Sequence, residues 1–469
     1  MVPHIRFLGR FFVRPLAATL VSAGLLTGGP ALADGARIRP HRANPAYWEY
    51  RGRPVVLIGG SVEDNLFQIA DLRAHLDLLK SRGGNYVRNT MSSRDEGNLW
   101  PFARNAGGQY DLSRPGGEYW KRFEALLRLA RERDVIVQIE VWDRFDFARE
   151  PWKDNPYNPA NNVNYPVEQS RLQTDYPRHP GQNDNPFFRT VPALEHNEHV
   201  LPFQRAQVDR MLEVSLRYGN VLYCMDNETN GSPEWGAYWA SYSREAAQRQ
   251  GLEVQTTEMW DPWDLADPLH AHTLDHPELY TFVDVSQNNH QKGQTHWDNM
   301  QAQRRRVAGR PRPMNNVKVY GADSGPYGTD RDGSERFWRN LIGGMAAVRF
   351  HRPPSGLGLS PQAQAHIRSA RLLADDFAFT RAVPDSPSRG LLDREPNEAY
   401  LTSAPGEHAV YFPSGGSVGL DLREAPGRFT LRWLEIGRSR WTDGRQVGGG
   451  RVVRLEVPGD GHWVALIEK

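Results

Sequence analysis

The chain has 469 residues, too many for one small domain and enough for one large barrel with an accessory module. Its 57 Lys and Arg balance 56 Asp and Glu, so no field of one sign exists to gather nucleic acid, and that class of partner is set aside. A single cysteine, Cys224, excludes an internal disulfide and a cysteine-based zinc cage. Aromatic residues make up 10% of the chain and gather mid-chain beside Asn, Asp and Gly, a composition that suits a wet cleft for a polar ligand with apolar ring faces.

The N-terminus reads as a secretory signal over residues 1–33. Arg6, Arg10 and Arg14 precede an apolar run from Pro15 to Leu26, and Ala31-Leu32-Ala33 stand before Asp34. Cleavage is expected after Ala33, giving a secreted or periplasmic protein without a membrane anchor, because the run falls short of the ~20 residues of a spanning helix. From Pro54 onward, short β-branched runs alternate with amphipathic stretches, the pattern of parallel strands joined by helices. The expected strands are PVVLIGG, NYVRNT, VIVQIEVW, NVLYCMD, EVQTTEMW, TFVDVSQNN, VKVYGADSG and AAVRFHRP. Eight of them predict an α/β fold, a (β/α)8 TIM barrel over residues 34–381. Helical faces are marked by Leu72, Leu76 and Leu79, by Phe123, Leu126, Leu127 and Ala130, and by Val208, Met211, Leu212 and Ser215. The segment from Asp143 to Pro202 lacks periodicity, and its place after the third strand puts it on the rim where barrel active sites lie. Beyond Arg381 the runs AYLTSA, HAVYFP, VGLDL, FTLRWLEI, VVRLEV and HWVALIE predict a small antiparallel β-sandwich over residues 382–469.

Barrel chemistry concentrates at the C-terminal ends of strands. Strand three ends in Glu140-Val141-Trp142-Asp143, strand four in Asp226-Asn227-Glu228, strand five in Glu258-Met259-Trp260-Asp261 and strand seven in Asp323-Ser324-Gly325. One or two such carboxylates would be ordinary helix caps. Four strands of them, mixed with Trp142, Trp260, Asn289 and His290, predict a site. Glycoside hydrolysis needs two opposed carboxyl groups, one protonated to release the leaving oxygen and one ionised to support the oxocarbenium-like carbon. No Lys or Arg stands in the ten residues after Glu228, so crowded negative charge is expected to raise its pKa and keep it an acid.

Asn227-Glu228 resembles the Asn-Glu pair that carries the acid/base in clan A glycoside hydrolases, a large group of (β/α)8 barrels. The opening NPAYWEYRGRPVVLIGGS, the strand LYCMDNET with EWGAYW, and VYGADSG with FWRNLIGGMAA are similar to the cellulase-like and apiosidase-like branches of that group. HAVYFPSGGSVGLDL and GDGHWVALIE resemble the small β-sandwich commonly appended there. With the N-terminal signal, the resemblance implies an exported glycosidase of plant or microbial polysaccharide or oligosaccharide, retaining if the second carboxylate comes within ~5 Å of Glu228 and inverting if a water fits between them, with Glu228 as acid/base and Asn227 on the sugar 2-hydroxyl. It places the nucleophile at the end of strand seven, where relatives carry Glu and this chain offers the shorter Asp323. Gly321 and Gly325 flank Asp323 and would let the backbone move inward; Glu258 is its strongest rival, then Glu140. Glu140, Trp142, Asp143, Glu258, Trp260, Asn289 and His290 are expected around the substrate, with Trp263 as a further stacking candidate. No cofactor or metal is expected, since Glu195-His196-Asn197-Glu198-His199 lacks the H-E-x-x-H spacing. The alternative is a non-catalytic carbohydrate-binding or adhesion protein, which Asp323 in place of Glu would allow. Sugar, linkage and oligomeric state leave no signal in the sequence.

Overall fold

Eight parallel strands succeed one another around a closed sheet: β1 (Leu57–Gly60), β2 (Tyr86–Thr90), β3 (Ile136–Asp143), β4 (Val221–Asn227), β5 (Thr256–Thr257), β6 (Val283–Asp284), β7 (Met314–Val319) and β8 (Ala347–Phe350). A computed structural model describes residues 37–323, 325–353, 355–386 and 390–469; the expected signal segment, residues 1–33, lies outside the described residues. Pairing runs β5-β4-β3-β2-β1-β8-β7-β6, and the amides of Thr281 and Phe282 close the seam on the Thr256 carbonyl at 2.9 and 3.4 Å. The chain is a (β/α)8 barrel. Its helices are α1 (Leu72–Ser81), α2 (Gly117–Glu132), α3 (Leu201–Ser215), α4 (Pro233–Gln248), α5 (Pro268–Leu274), α6 (Gly293–Arg306), α7 (Asp330–Ile342) and α8 (Pro361–Asp376).

Helices on the outside and packed side chains within leave the strands no wet face, which is why they read as near-continuous apolar runs. The expected helical faces are the buried ones in α1, α2 and α3. Below, Trp48 of an N-terminal hairpin plugs the barrel: its indole donates to Asn315 at 3.0 Å, and Asn315 in turn reaches the Tyr86 hydroxyl and Gln138, each at 3.3 Å.

Four strands depart from expectation. PVVLIGG splits: Arg53–Val55 pairs antiparallel with Trp48–Tyr50 in the N-terminal hairpin, and only Leu57–Gly60 enters the barrel. β5 and β6 keep two residues each. The Glu258 carboxylate takes the amides of Asp226 and Met259, and the Asp284 carboxylate takes that of Ser286, so side chains replace ladder bonds and the chain turns. β7 stops at Val319 rather than running on to Asp323.

The rim segment 143–202 is also different from a wet cleft. Asn155, Asn158 and Asn162 bond backbone groups of their own loop, and Phe147, Trp152, Tyr157 and Phe187 pack with Trp142, Trp235 and Trp239 as an aromatic core.

The C-terminal strands form the predicted antiparallel β-sandwich. They are β9 (Val383–Pro384), β10 (Leu392–Asp393), β11 (Tyr400–Ala404), β12 (Glu407–Phe412), β13 (Ser417–Asp421), β14 (Arg428–Glu435), β15 (Arg440–Trp441), β16 (Arg445–Gly448), β17 (Val452–Glu456) and β18 (Trp463–Glu468). The large sheet runs β9-β11-β12-β18-β14-β15, with β16 also on β14, and faces the small sheet β10-β13-β17. Alternation divides it: Leu401, Val410, Leu431 and Ala465 enter the sandwich core, while Tyr400, Tyr411, Leu434, Val464 and Leu466 join the barrel's core. Tyr411 stacks on Trp338 of α7 at 5.8 Å, and Ser369 of α8 donates to the Ile436 carbonyl at 2.7 Å.

Candidate active site

Asp226 and Asn227 at the end of β4 and Glu228 just beyond it are each tied to a distant residue. Asp226 is buried, and its Oδ2 receives Nε and Nη2 of Arg144 at 3.1 and 3.0 Å. Lys318 of β7 donates to Asn227 Oδ1 and, at 2.6 Å, to Glu228 Oε1. The Tyr320 hydroxyl donates to the same Glu228 oxygen at 3.0 Å. The expectation of an unneutralised Glu228 is therefore corrected: the cation comes from across the barrel, 90 residues on. Burial by itself would push the Glu228 carboxyl up; the Lys318 charge and hydrogen bond outweigh it and hold the group at about 2. At neutral pH Glu228 is a carboxylate, not a carboxylic acid.

A bulge delivers Lys318. Asn316 pairs with Val348 and Val319 with Phe350, so β7 spends one more residue than β8 over the same span. Asn289 braces this bulge from the turn after β6, donating to Asn316 Oδ1 at 2.7 Å and to the Lys318 carbonyl. Beneath, Arg88 holds Glu140 with Nε and Nη2, each 2.6 Å from a carboxylate oxygen, and also pairs with Asp64. Glu228 itself has φ 57°, the left-handed region that a non-glycine residue keeps only where its surroundings overdetermine it.

A second carboxyl group stands beside Glu228. Thr229 and Trp260 form a parallel bridge, with the Thr229 amide on the Met259 carbonyl at 2.9 Å and the Asp261 amide on the Thr229 carbonyl at 3.1 Å. Glu228 and Asp261 flank that bridged pair. Asn230 donates to Asp261 Oδ2 at 2.7 Å. Burial first, and then the Glu228 charge, push the Asp261 carboxyl above the ordinary range. His290 completes the wall, edge-on to Tyr320 at 5.2 Å; burial pushes its imidazole down to about 4, so it is neutral.

Asn227, Glu228, Asn289 and His290 are thus brought together around Lys318 and Tyr320. Asp323 is not. It lies exposed beyond the end of β7, where Ala322 and Asp323 have φ of 74° and 50°, and its Oδ1 accepts the Asp330 amide at 3.3 Å at the start of α7. Gly321 serves the same turn: a Cβ there would stand 2.9 Å from Gly333 Cα of α7, so the glycine admits a helix rather than a ligand. Glu258 is fully buried, and burial together with Asp226 pushes its carboxyl far up. Trp260 is buried too, donating to Thr273 at 2.8 Å, and Trp142 sits in the aromatic core. Asp143 pairs with Arg94 and caps the Phe145 amide at 3.1 Å. Among the described residues no three His, Cys, Asp or Glu side chains converge as metal ligands.

Sequence reasoning passed over Lys318 and Tyr320, and named Asp261 only as the last of the strand-five carboxylates, with no role of its own. Lys318 had a signal: a lysine between Val317 and Val319 in an expected strand must find an anionic partner if it is buried.

No protein-family profile matches the chain, and no curated protein matches it. Solved structures do. A glycoside hydrolase family 5 protein from Bacteroides vulgatus superposes with a TM-score of 0.63 at 12% identity, over 93% of this chain and 94% of its own. A second structure, described as a glycoside hydrolase, superposes with a TM-score of 0.63 at 11% identity, over 93% of this chain and 97% of its own. This chain shares their fold. Coverage of 93% reaches from the barrel into the sandwich, so the likeness is one of whole architecture.

Proposed function

We propose that the chain is an exported glycoside hydrolase that cleaves a glycosidic bond in a polysaccharide or oligosaccharide. The observation that carries this reading is a pair of carboxyl groups on neighbouring strand ends at one rim: Glu228 held ionised by Lys318, and Asp261 pushed toward its protonated form by burial and by Glu228. Hydrolysis of an acetal needs that division of labour. Asp261 gives its proton to the leaving oxygen while Glu228 bonds to the anomeric carbon. Asp261, now ionised, then takes a proton from water as that water displaces Glu228, and the configuration is retained. Relative to the reading from sequence, Glu228 changes from acid to nucleophile, and Asp323 has no part. The rim position and the fold shared with solved glycoside hydrolases support the same class.

Glycosides with graded leaving groups test it. Asp261→Asn should lose several orders of magnitude on poor leaving groups and little on activated aryl glycosides, whereas Glu228→Gln should lose activity on both. The alkaline limb of the wild-type pH profile belongs to Asp261 and should vanish in Asp261→Asn. Equal losses of Asp261→Asn on both leaving groups would sink its role as acid. An inverted first-formed sugar, read by proton NMR, would make Glu228 a base for water instead. The motif over residues 1–33 supports export, and N-terminal sequencing of protein from the periplasm or medium should begin at Asp34.

A further inference from the structure

Of the chain's 14 tryptophans, Trp263 alone is exposed, at 54%. An indole left in water forgoes the burial that usually places tryptophan inside. This one is nevertheless held: it lies parallel to the His290 imidazole, with ring centres 3.9 Å apart and planes at 10°. His290 rests edge-on against Tyr320, whose hydroxyl binds Glu228. Aromatic rings therefore run unbroken from the nucleophile to the surface, and the indole face opposite His290 is the one that solvent reaches.

A single preset apolar plane with polar edges fits one ring, not an extended apolar partner. The C–H face of a pyranose is such a ring, with its hydroxyls directed outward to polar neighbours. Trp263 also stands two residues from Asp261, on the segment that leads from β5 into α5. We propose that Trp263, backed by His290, is a stacking platform for the pyranose on the leaving-group side of the scissile bond. The side assignment rests on the glycosidase reading above, because the leaving oxygen is the atom that receives the Asp261 proton. The consequence is a preference for oligosaccharides over glycosides whose leaving group carries no ring.

The test separates binding from turnover. The full chain is labelled with fluorotryptophan, and the Trp263 signal is assigned by its loss in Trp263→Phe. It is then titrated, by fluorine NMR, with unbranched neutral tetrasaccharides of glucose, mannose, xylose and galactose. At least one should move the Trp263 signal saturably. Trp263→Ala should then lose about tenfold in kcat/KM on that tetrasaccharide relative to the matching glycosyl fluoride, whose leaving group has no ring. A Trp263 signal unmoved by the whole panel overturns the platform, and so do equal losses on tetrasaccharide and fluoride. Saturable movement without turnover of any substrate would keep the platform and overturn the glycosidase reading.

Discussion

In β18 the surroundings of each side chain follow from its parity. Trp463, Ala465 and Ile467 face the sandwich core, and Val464 and Leu466 face the barrel. At the barrel rim parity says nothing of the kind. Asp226 finds its cation 82 residues earlier, at Arg144, and Glu228 finds its own 90 residues later, at Lys318. Packing in the sheet is written in period two, whereas charge state at the rim is written by closure of the barrel. Substitutions in the two regions should therefore fail in different ways.

The largest effect is expected at the rim. Lys318→Met removes the cation and leaves the burial, so the Glu228 carboxyl should rise from about 2 to above its ordinary value. With Lys318 present, the ionised form and the stability it contributes hold above the unfolded-state carboxylate value and are lost only as pH falls through about 2. Without it, the acid limb of kcat/KM should move toward neutrality and activity should fall on the order of a thousandfold. Carbon NMR titration of Glu228 and the pH–rate profile read the two effects, and an unmoved acid limb would refute the role of Lys318. Next comes Arg144→Met, which leaves Asp226 buried without its cation and should cost about 3–5 kcal/mol in urea unfolding. Adding Asp226→Asn should return part of that loss; no recovery would mean that Arg144 acts through packing alone.

The sheet predicts smaller, purely structural losses. Leu466→Ala and Ile467→Ala are neighbours on opposite faces, and both should cost about 2–4 kcal/mol with the pH profile unchanged. A sheet with one wet face would spare one of them, so a neutral result for either contradicts burial on both sides. The smallest effect is expected for Asp323→Ala, within about threefold of wild-type kcat/KM, since its carboxylate serves a turn at α7. A loss beyond about a hundredfold would return the nucleophile to the end of β7.

Where sequence patterns are local they were legible. NYVRNT, VIVQIEVW and NVLYCMD each lie within one residue of β2, β3 and β4, and the faces of α1, α2 and α3 are those their apolar spacing predicts. Asn227, Glu228, Asn289 and His290 do gather at one place. Asp323 does not, because β7 ends at Val319, beyond a bulge that shifts its parity, and the chain then turns through the positive φ of Ala322 and Asp323. No periodicity in VKVYGADSG announces a bulge. The state of Glu228 was misjudged for a related reason: its ten following residues hold no cation, but its neighbours in space come from β7, from the turn after β6 and from the segment after β5.

Because the large sheet has one face in each core, neither side can come apart without exposing it. Removing β9 to β18 would uncover Trp297 and Trp338, which now lie against Tyr400 and Tyr411. The barrel and the strands after it should consequently melt as one cooperative unit, with a single calorimetric endotherm whose van't Hoff and calorimetric enthalpies agree. Heat tolerance at the rim is then governed in part from the opposite end of the polypeptide, by strands that supply none of the Glu228, Asp261 and Lys318 side chains.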